Sequence, residues 1–246
     1  MYTHAINPTI LHLGPLEIRW YGVMYVLAFF VTYYYVRHFI RQGKLKLTEK
    51  ELDNMLGLMV VLMIFCARLF YAIFYNPKYF IQEPWKIIAI WEGGLSFHGG
   101  FLGVFLGGLY YARKHKIAIL KLADIFCVPL ALGNAFGRIG NFINGELYGT
   151  PTTLPWGVIF SGTTEPRHPT QIYEALYNIA IFLFLFSMRN KKLRDGQLFG
   201  IFMILYAIFR FSVEYIKDLP SYGPLTMGQW LTIPVFLIGL YLYNRK

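Results

Sequence analysis

Long apolar runs recur along the chain, and each is closed by a knot of charged or turn residues. A bilayer core about 30 Å thick takes roughly 20 residues of helix. Windows of that kind lie at about 17–36, 51–75, 87–111, 122–143, 169–188, 197–216 and 228–243. The pattern predicts an all-α integral membrane protein of about seven transmembrane helices, a single polytopic membrane domain over residues 1–246. The longest polar connection, 144–168, reads "NGELYGTPTTLPWGVIFSGTTEPRH" and is expected to form a small outer-face arm or flap between the fourth and fifth spans. No unit repeats as it would in an inverted-repeat transporter.

Charge orients the spans. The loop 37–50 carries Arg37, Arg41, Lys44, Lys46 and Lys50; the connection after the third span carries Arg113, Lys114, Lys116 and Lys121; that after the fifth carries Arg189, Lys191, Lys192 and Arg194. With Arg245 and Lys246, fifteen of the 23 basic residues fall on one side, against Arg19, Lys78, Lys86, Arg167 and Lys217 on the other. The positive-inside rule then places the N-terminus outside and the C-terminus in the cytoplasm. "NPTILHLGPLEIRW" has no basic leader and no small-residue cleavage site, so the first apolar segment is expected to stay as a span.

Composition sharpens the class. At 56% hydrophobic and 15% charged residues the chain is too apolar for an ordinary soluble domain. A net charge of +10 would suggest nucleic acid in a soluble protein; here it marks cytoplasmic loops and anionic lipid. Cys66 and Cys127 lie in apolar runs and read as packing residues.

Three arginines remain inside the spans: Arg68, Arg138 and Arg210. Each needs a partner, a wet cavity or a ligand, since a charge at a helix centre costs roughly 2.5–3.5 kcal/mol. Arg138 shares a helical face with Asn134 and Asn141, and Asn144 and Glu146 follow at the helix end. Gly133, Gly137 and Gly140 form a seam beside that face, where a neighbouring helix can approach closely. The alternatives are asparagines acting as interhelical glue and Arg138 snorkelling or pairing with Glu146. In the sixth span Tyr206, Arg210 and Glu214 recur every four residues on one face, which also allows a plain Arg210–Glu214 ion pair. Two arginines on different helices facing one cavity would make an anion site, and lipid phosphate is the anion at hand. In the third span Gly99, Gly103 and Gly107 predict a close-packed seam, and Gly93 with Gly94 predict a broken start to the helix. His98 stands between them as a candidate proton acceptor. Trp20 and Tyr21 read as an interfacial aromatic belt, and Arg167, His168, Gln171 and Glu174 as capping and anchoring at the outer mouth. Arg68 lies near the outer end of its span, where snorkelling would suffice. No metal-ligand cluster, Walker lysine or GxSxG elbow is present, so neither metal nor cofactor is expected.

Taken in order, "IRWYGVMY", "HGGFLGVFLGG", "GRIGNFINGELYG", "RHPTQIYEAL", "YAIFRFSVEYI" and "LTMGQWLTIP" resemble the prolipoprotein diacylglyceryl transferases of bacterial plasma membranes. The resemblance implies a seven-span enzyme, without cofactor, that moves the diacylglyceryl group of phosphatidylglycerol onto the lipobox cysteine of preprolipoprotein signal peptides. A thioether would form and glycerol 1-phosphate would leave. Carried over by matching motifs, the implied catalytic residues are His98, Arg138, Arg210, Glu146 and Glu214; the implied substrate-binding residues are Tyr21, Asn141, Asn144 and Tyr206. Many relatives have tryptophan where Tyr148 stands. Its partners would be membrane lipid and the signal peptide, with no nucleic acid. The substrate supplies the nucleophile as a thiolate, and a thiol with pKa near 8.5 needs a base. His98 is the candidate, with Glu146 or Glu214 as rival. Two other classes fit the same polar face: an anion or lipid transporter, and a structural membrane subunit.

Overall fold

The computed structural model describes residues 2–13 and 16–245. Lys246, counted above with the inner tail, lies outside the described residues. In hydrocarbon every backbone N–H and C=O must bond within its own segment, so the apolar runs become helices. They are α1 (Trp20–Arg41), α2 (Glu49–Phe74), α3 (Pro77–Gln82), α4 (Phe97–Lys114), α5 (Ile119–Asn144), α6 (Thr170–Met188), α7 (Gln197–Glu214) and α8 (Met227–Asn244). Five of them, α1, α2, α5, α6 and α7, are long and apolar enough to cross a membrane, as expected of a multi-pass membrane protein.

Each of the seven expected windows coincides with a long helix, and the third departs most. There the chain forms 3-10 turns at Pro84–Ile88 and Ile90–Glu92, and α4 begins only at Phe97. Gly93 and Gly94 take φ of 83° and 74°, a left-handed backbone that breaks the run, and Ser96 then caps the new helix. Short strands flank the helices: β1 (Tyr2–Thr3) pairs in parallel with β4 (Val158–Ile159). The antiparallel pairs are β2 (Thr9–Leu13) with β3 (Leu16–Arg19) and β5 (Ser221–Tyr222) with β6 (Leu225–Thr226).

The chain divides into two compact units, Val36–Leu122 and Met1–Tyr35 with Ala123–Lys246. In the first, α4 lies along α2 on the predicted glycine seam. A Cβ at Gly99 or Gly103 would run into the backbone of Cys66 or Leu62, and one at Gly107 would meet Met59 Cγ at 2.9 Å. Thr48 and Glu51 close a capping box at the start of α2, and Glu49 pairs with Arg37 at 2.6 Å and Arg41 at 2.7 Å.

Arg68 does not snorkel. It is only 4% exposed and turns inward. Nε donates to the Ile87 carbonyl at 3.2 Å, and Nη2 donates to Lys86 at 2.8 Å and Ala89 at 3.0 Å. Nη1 donates to Gly93 and Gly94, and the guanidinium lies 4.9 Å from the centre of the Phe80 ring. The broken segment before α4 leaves carbonyls with spare acceptor capacity, and Arg68 donates to five of them, two of which, Lys86 and Ala89, also accept a main-chain amide.

In the second unit the core joins Cys127, Val128 and Ala131 of α5, Tyr177, Ile181 and Leu185 of α6, and Leu198 and Phe202 of α7. Both cysteines of the chain are free and buried. Helices α7 and α8 touch backbone to backbone, with the carbonyls of Gly200 and Gly239 each 2.9 Å from where the other's Cβ would be. Asp124 accepts the Gly196 and Phe199 amides at 2.7 Å each and so caps α7. The segment 144–168 folds back on itself through bridges of Val158 and Pro151 to Arg167. Phe160 is its small core, stacked on Tyr148 at 4.8 Å and flanked by His4 and Phe142. The α5 glycine seam is partial: Gly133 faces Ala28 and Gly140 faces the Tyr21 ring, both on α1, while Gly137 meets nothing within 4 Å.

Candidate active site

The second unit gathers polar side chains from α5, α7 and the segment that follows α7 around one carboxylate of α6. Glu174, on α6, is fully buried. Arg138 from α5 places Nε 2.8 Å from Oε2, Lys217 places Nζ 2.9 Å from Oε1, and Arg210 from α7 donates Nη1 to Oε1. Arg138 and Arg210, far apart in sequence, thus share one anion. Burial pushes the Lys217 ammonium below the ordinary lysine value, and the neighbouring Glu174 pulls it back up.

Each arginine has a second protein contact. Arg138 donates Nη1 to Asn141 Oδ1 at 3.3 Å, and Arg210 holds Nη2 3.0 Å from Glu214 Oε2 one helical turn on. Each guanidinium thus makes one hydrogen bond and one further ion-pair contact to protein, fewer than its five N–H donors. The side chains stay reachable, at 23% exposure for Arg138 and 17% for Arg210. The alternative in which Arg138 pairs with Glu146 is replaced: its ion pair is with Glu174, and Glu146 is reached only through Asn141.

Glu146 owes its position to a turn. The helix α5 ends at Asn144, Gly145 takes φ 70° and Leu147 takes φ 61°, a left-handed conformation that a leucine adopts only under constraint. Thr170 and Gln171 supply that constraint, donating to the carbonyls of Leu147 at 2.9 Å and Glu146 at 2.5 Å. The exposed Glu146 carboxylate swings back so that Oε1 accepts from both Asn141 at 2.8 Å and Asn144 at 3.1 Å. Tyr21 lays its ring against Gly140 and brings its hydroxyl beside Asn141. Tyr206, half-buried one turn before Arg210, packs on Phe202 and edge-on to Tyr177.

Glu214 is buried and already committed. Oε1 accepts the Thr226 hydroxyl at 3.0 Å and Oε2 faces Arg210. The Thr226 hydroxyl also accepts the Gln229 amide as the cap of α8, and Gly228 leaves the room that the Glu214 carboxyl occupies. The segment "LTMGQW" therefore serves Glu214 as well as starting a helix. His98 belongs to the other unit. It is exposed in the first turn of α4, next to Phe97, with no hydrogen bond or ion pair among the described residues.

The sequence reading missed Glu174 as a site residue and took Lys217 for an outer-loop charge. The signal was present: Gln171, Glu174 and Asn178 recur on one face of the apolar α6 and are at most 1% exposed. Capping and anchoring, expected for that motif, do not describe side chains so deeply buried.

Comparison with known proteins shows the family. A family model described as prolipoprotein diacylglyceryl transferase matches residues 8–245. The phosphatidylglycerol-prolipoprotein diacylglyceryl transferase of Geobacter sulfurreducens is 45% identical over 243 residues, covering 96% of this chain and 93% of that protein. The enzyme of the same name from Bordetella avium is 42% identical over 246 residues, covering 96% and 93%. That of Desulfotalea psychrophila is 41% identical over 251 residues, covering 97% and 92%. With a polar site of paired arginines set among membrane helices and a match along nearly its whole length, the chain belongs to the prolipoprotein diacylglyceryl transferase family.

Proposed function

We infer that this chain transfers the diacylglyceryl group of phosphatidylglycerol to the lipobox cysteine of a prolipoprotein. The observation that carries the mechanism is the convergence of Arg138 and Arg210 on one carboxylate, each guanidinium making fewer protein contacts than it has N–H donors. The cysteine sulfur attacks the glyceryl carbon that bears the phosphate. A carbon–sulfur bond forms, the carbon–oxygen bond breaks, and its electron pair leaves with glycerol 1-phosphate. The two arginines hold that phosphate and meet the charge that grows on it. Asn141, Asn144, Tyr21 and Tyr206 line the headgroup and substrate side of the site.

The thiol proton must pass to a base as the sulfur ionises. Glu214 spends both oxygens on Arg210 and Thr226, which suits it to orienting Arg210. Glu146, exposed and held only by neutral amides, and His98, an exposed imidazole, are the two proton acceptors.

The setting is a bacterial plasma membrane. The seven long helices cross it with the N-terminus outside and the C-terminus in the cytoplasm, a reading supported by the basic loops after the first, third and fifth spans. The chain works as one membrane domain, with 144–168 as an arm on the outer face.

The test uses purified protein, phosphatidylglycerol and a synthetic lipobox peptide. A diacylglyceryl mass gain that vanishes with Cys→Ser in the peptide, with glycerol phosphate released, is expected. A folded, lipid-bound preparation that moves lipid between leaflets without changing the peptide would retire the enzyme reading in favour of transport.

A further inference from the structure

Three cations and two carboxylates make up the ion cluster: Arg138, Arg210 and Lys217 against Glu174 and Glu214. Their formal sum is one positive charge. Glu146 stands one amide further out, and its exposed carboxylate is screened by solvent. Glu174, Glu214 and Lys217 are all buried, with side chains 0%, 1% and 4% exposed, and of these Glu174 and Lys217 pair directly with each other. A phosphodiester carries one negative charge, whereas a phosphomonoester carries about 1.5 to 2 near neutral pH.

We propose that the buried Glu174–Lys217 pair is a charge-setting, positioning pair: it holds the arginine site at one net positive charge, matched to the diester of the lipid and not to the monoester product. The proposal rests on the phosphate-clamp reading of Arg138 and Arg210 and deepens it. Glu174 takes one contact from each guanidinium, so both forks keep a fixed orientation, and Lys217 keeps Glu174 ionised while the arginines engage phosphate. The lipid phosphate neutralises the cluster. Cleavage adds a charge that the cluster does not balance, and glycerol phosphate is released instead of being held as an inhibitor.

The experiment measures inhibition of peptide lipidation by glycerol 1-phosphate and by the deacylated headgroup diester, glycerophosphoglycerol, at fixed pH and salt. In the wild-type protein the monoester should inhibit no better than the diester; a tenfold preference for the monoester would overturn the proposal without any variant. Glu174→Gln raises the cluster charge by one and should make glycerol phosphate about tenfold more inhibitory. Lys217→Met lowers it and should weaken inhibition by about the same factor. The double variant restores the sum and should return the half-inhibitory concentration to within about threefold of wild type. A purely structural pair would not shift inhibition in opposite directions and then cancel. Shifts of the same sign, no shift in folded single variants, or a double variant that does not fold would each overturn the charge-setting role. Unchanged glycerol phosphate inhibition in Arg138→Ala and Arg210→Ala would instead retire the phosphate clamp; a failed charge pattern with the arginine effect intact retires only the role of the pair.

Discussion

Arg68 in one unit spends all five N–H groups on main-chain carbonyls of residues 86–94, whereas Arg138 and Arg210 in the other each make one hydrogen bond and one further ion-pair contact and share a carboxylate. All three arginines lie in apolar helices, and sequence alone gives them the same standing. Their use of donors separates them. A guanidinium saturated by backbone is a structural fastener for a broken helix start. One held by a single shared anion, with donors left over and part of its surface open, is prepared for a ligand.

The largest expected effect tests that division on the ligand side. Arg138→Ala or Arg210→Ala should each cost on the order of 3 kcal/mol in the barrier, more than a hundredfold in rate, with the protein still inserted and folded. Lysine should not restore either position, because a point charge cannot replace a two-pronged fork. Peptide mass after timed incubation gives the rate; full activity in both alanine variants would remove the clamp.

Arg68→Met tests the structural side. It removes five hydrogen bonds and leaves the carbonyls of Ile87, Gly93 and Gly94 without their Arg68 donor, which should destabilise the protein by about 3 kcal/mol, read as a lower thermal midpoint and early proteolysis within 84–94. Inhibition by glycerol phosphate at a temperature where the variant is folded should stay at the wild-type level. Altered inhibition there would erase the distinction between the two kinds of arginine.

Gly228→Ala sharpens the picture of how Arg210 is oriented. The new Cβ would fall 2.6 Å from the Glu214 carboxyl carbon, so Glu214 must move and Arg210 with it. A loss of about 1–3 kcal/mol is expected, divided between stability and transfer rate. Thermal midpoint and rate measured together would show the split, and a neutral outcome in both would mean that Glu214 does not orient Arg210.

The smallest effect comes from an exposed arginine. Arg19 bonds Glu17 on β3 and holds that carboxyl below the ordinary carboxylate range. Arg19→Gln should return Glu17 to the ordinary range in an NMR titration while leaving lipidation and the thermal midpoint where they were. A drop in activity would show that losing any exposed arginine matters, and the comparison between sites would lose its force.

What was legible in the sequence was what depends on period and length. Apolar windows of bilayer length located the seven long helices, because lipid leaves the backbone no alternative to a helix. Glycine spacing located the close-packed face of α4 without naming α2 as its partner, since only a missing Cβ permits that approach. The faces holding Arg138 with Asn141 and Arg210 with Glu214 followed from helical geometry. The motif order identified the family. Partner choice across helices was not legible, because it depends on tertiary distances that no periodicity encodes. The fold alone decided that Arg138 pairs with Glu174 and reaches Glu146 only through Asn141, that Lys217 turns inward, and that Arg68 finds carbonyls instead of the interface. A buried charge must find an opposite charge or a set of dipoles, and local sequence states that demand without naming the residue, on another helix or in a loop, that meets it.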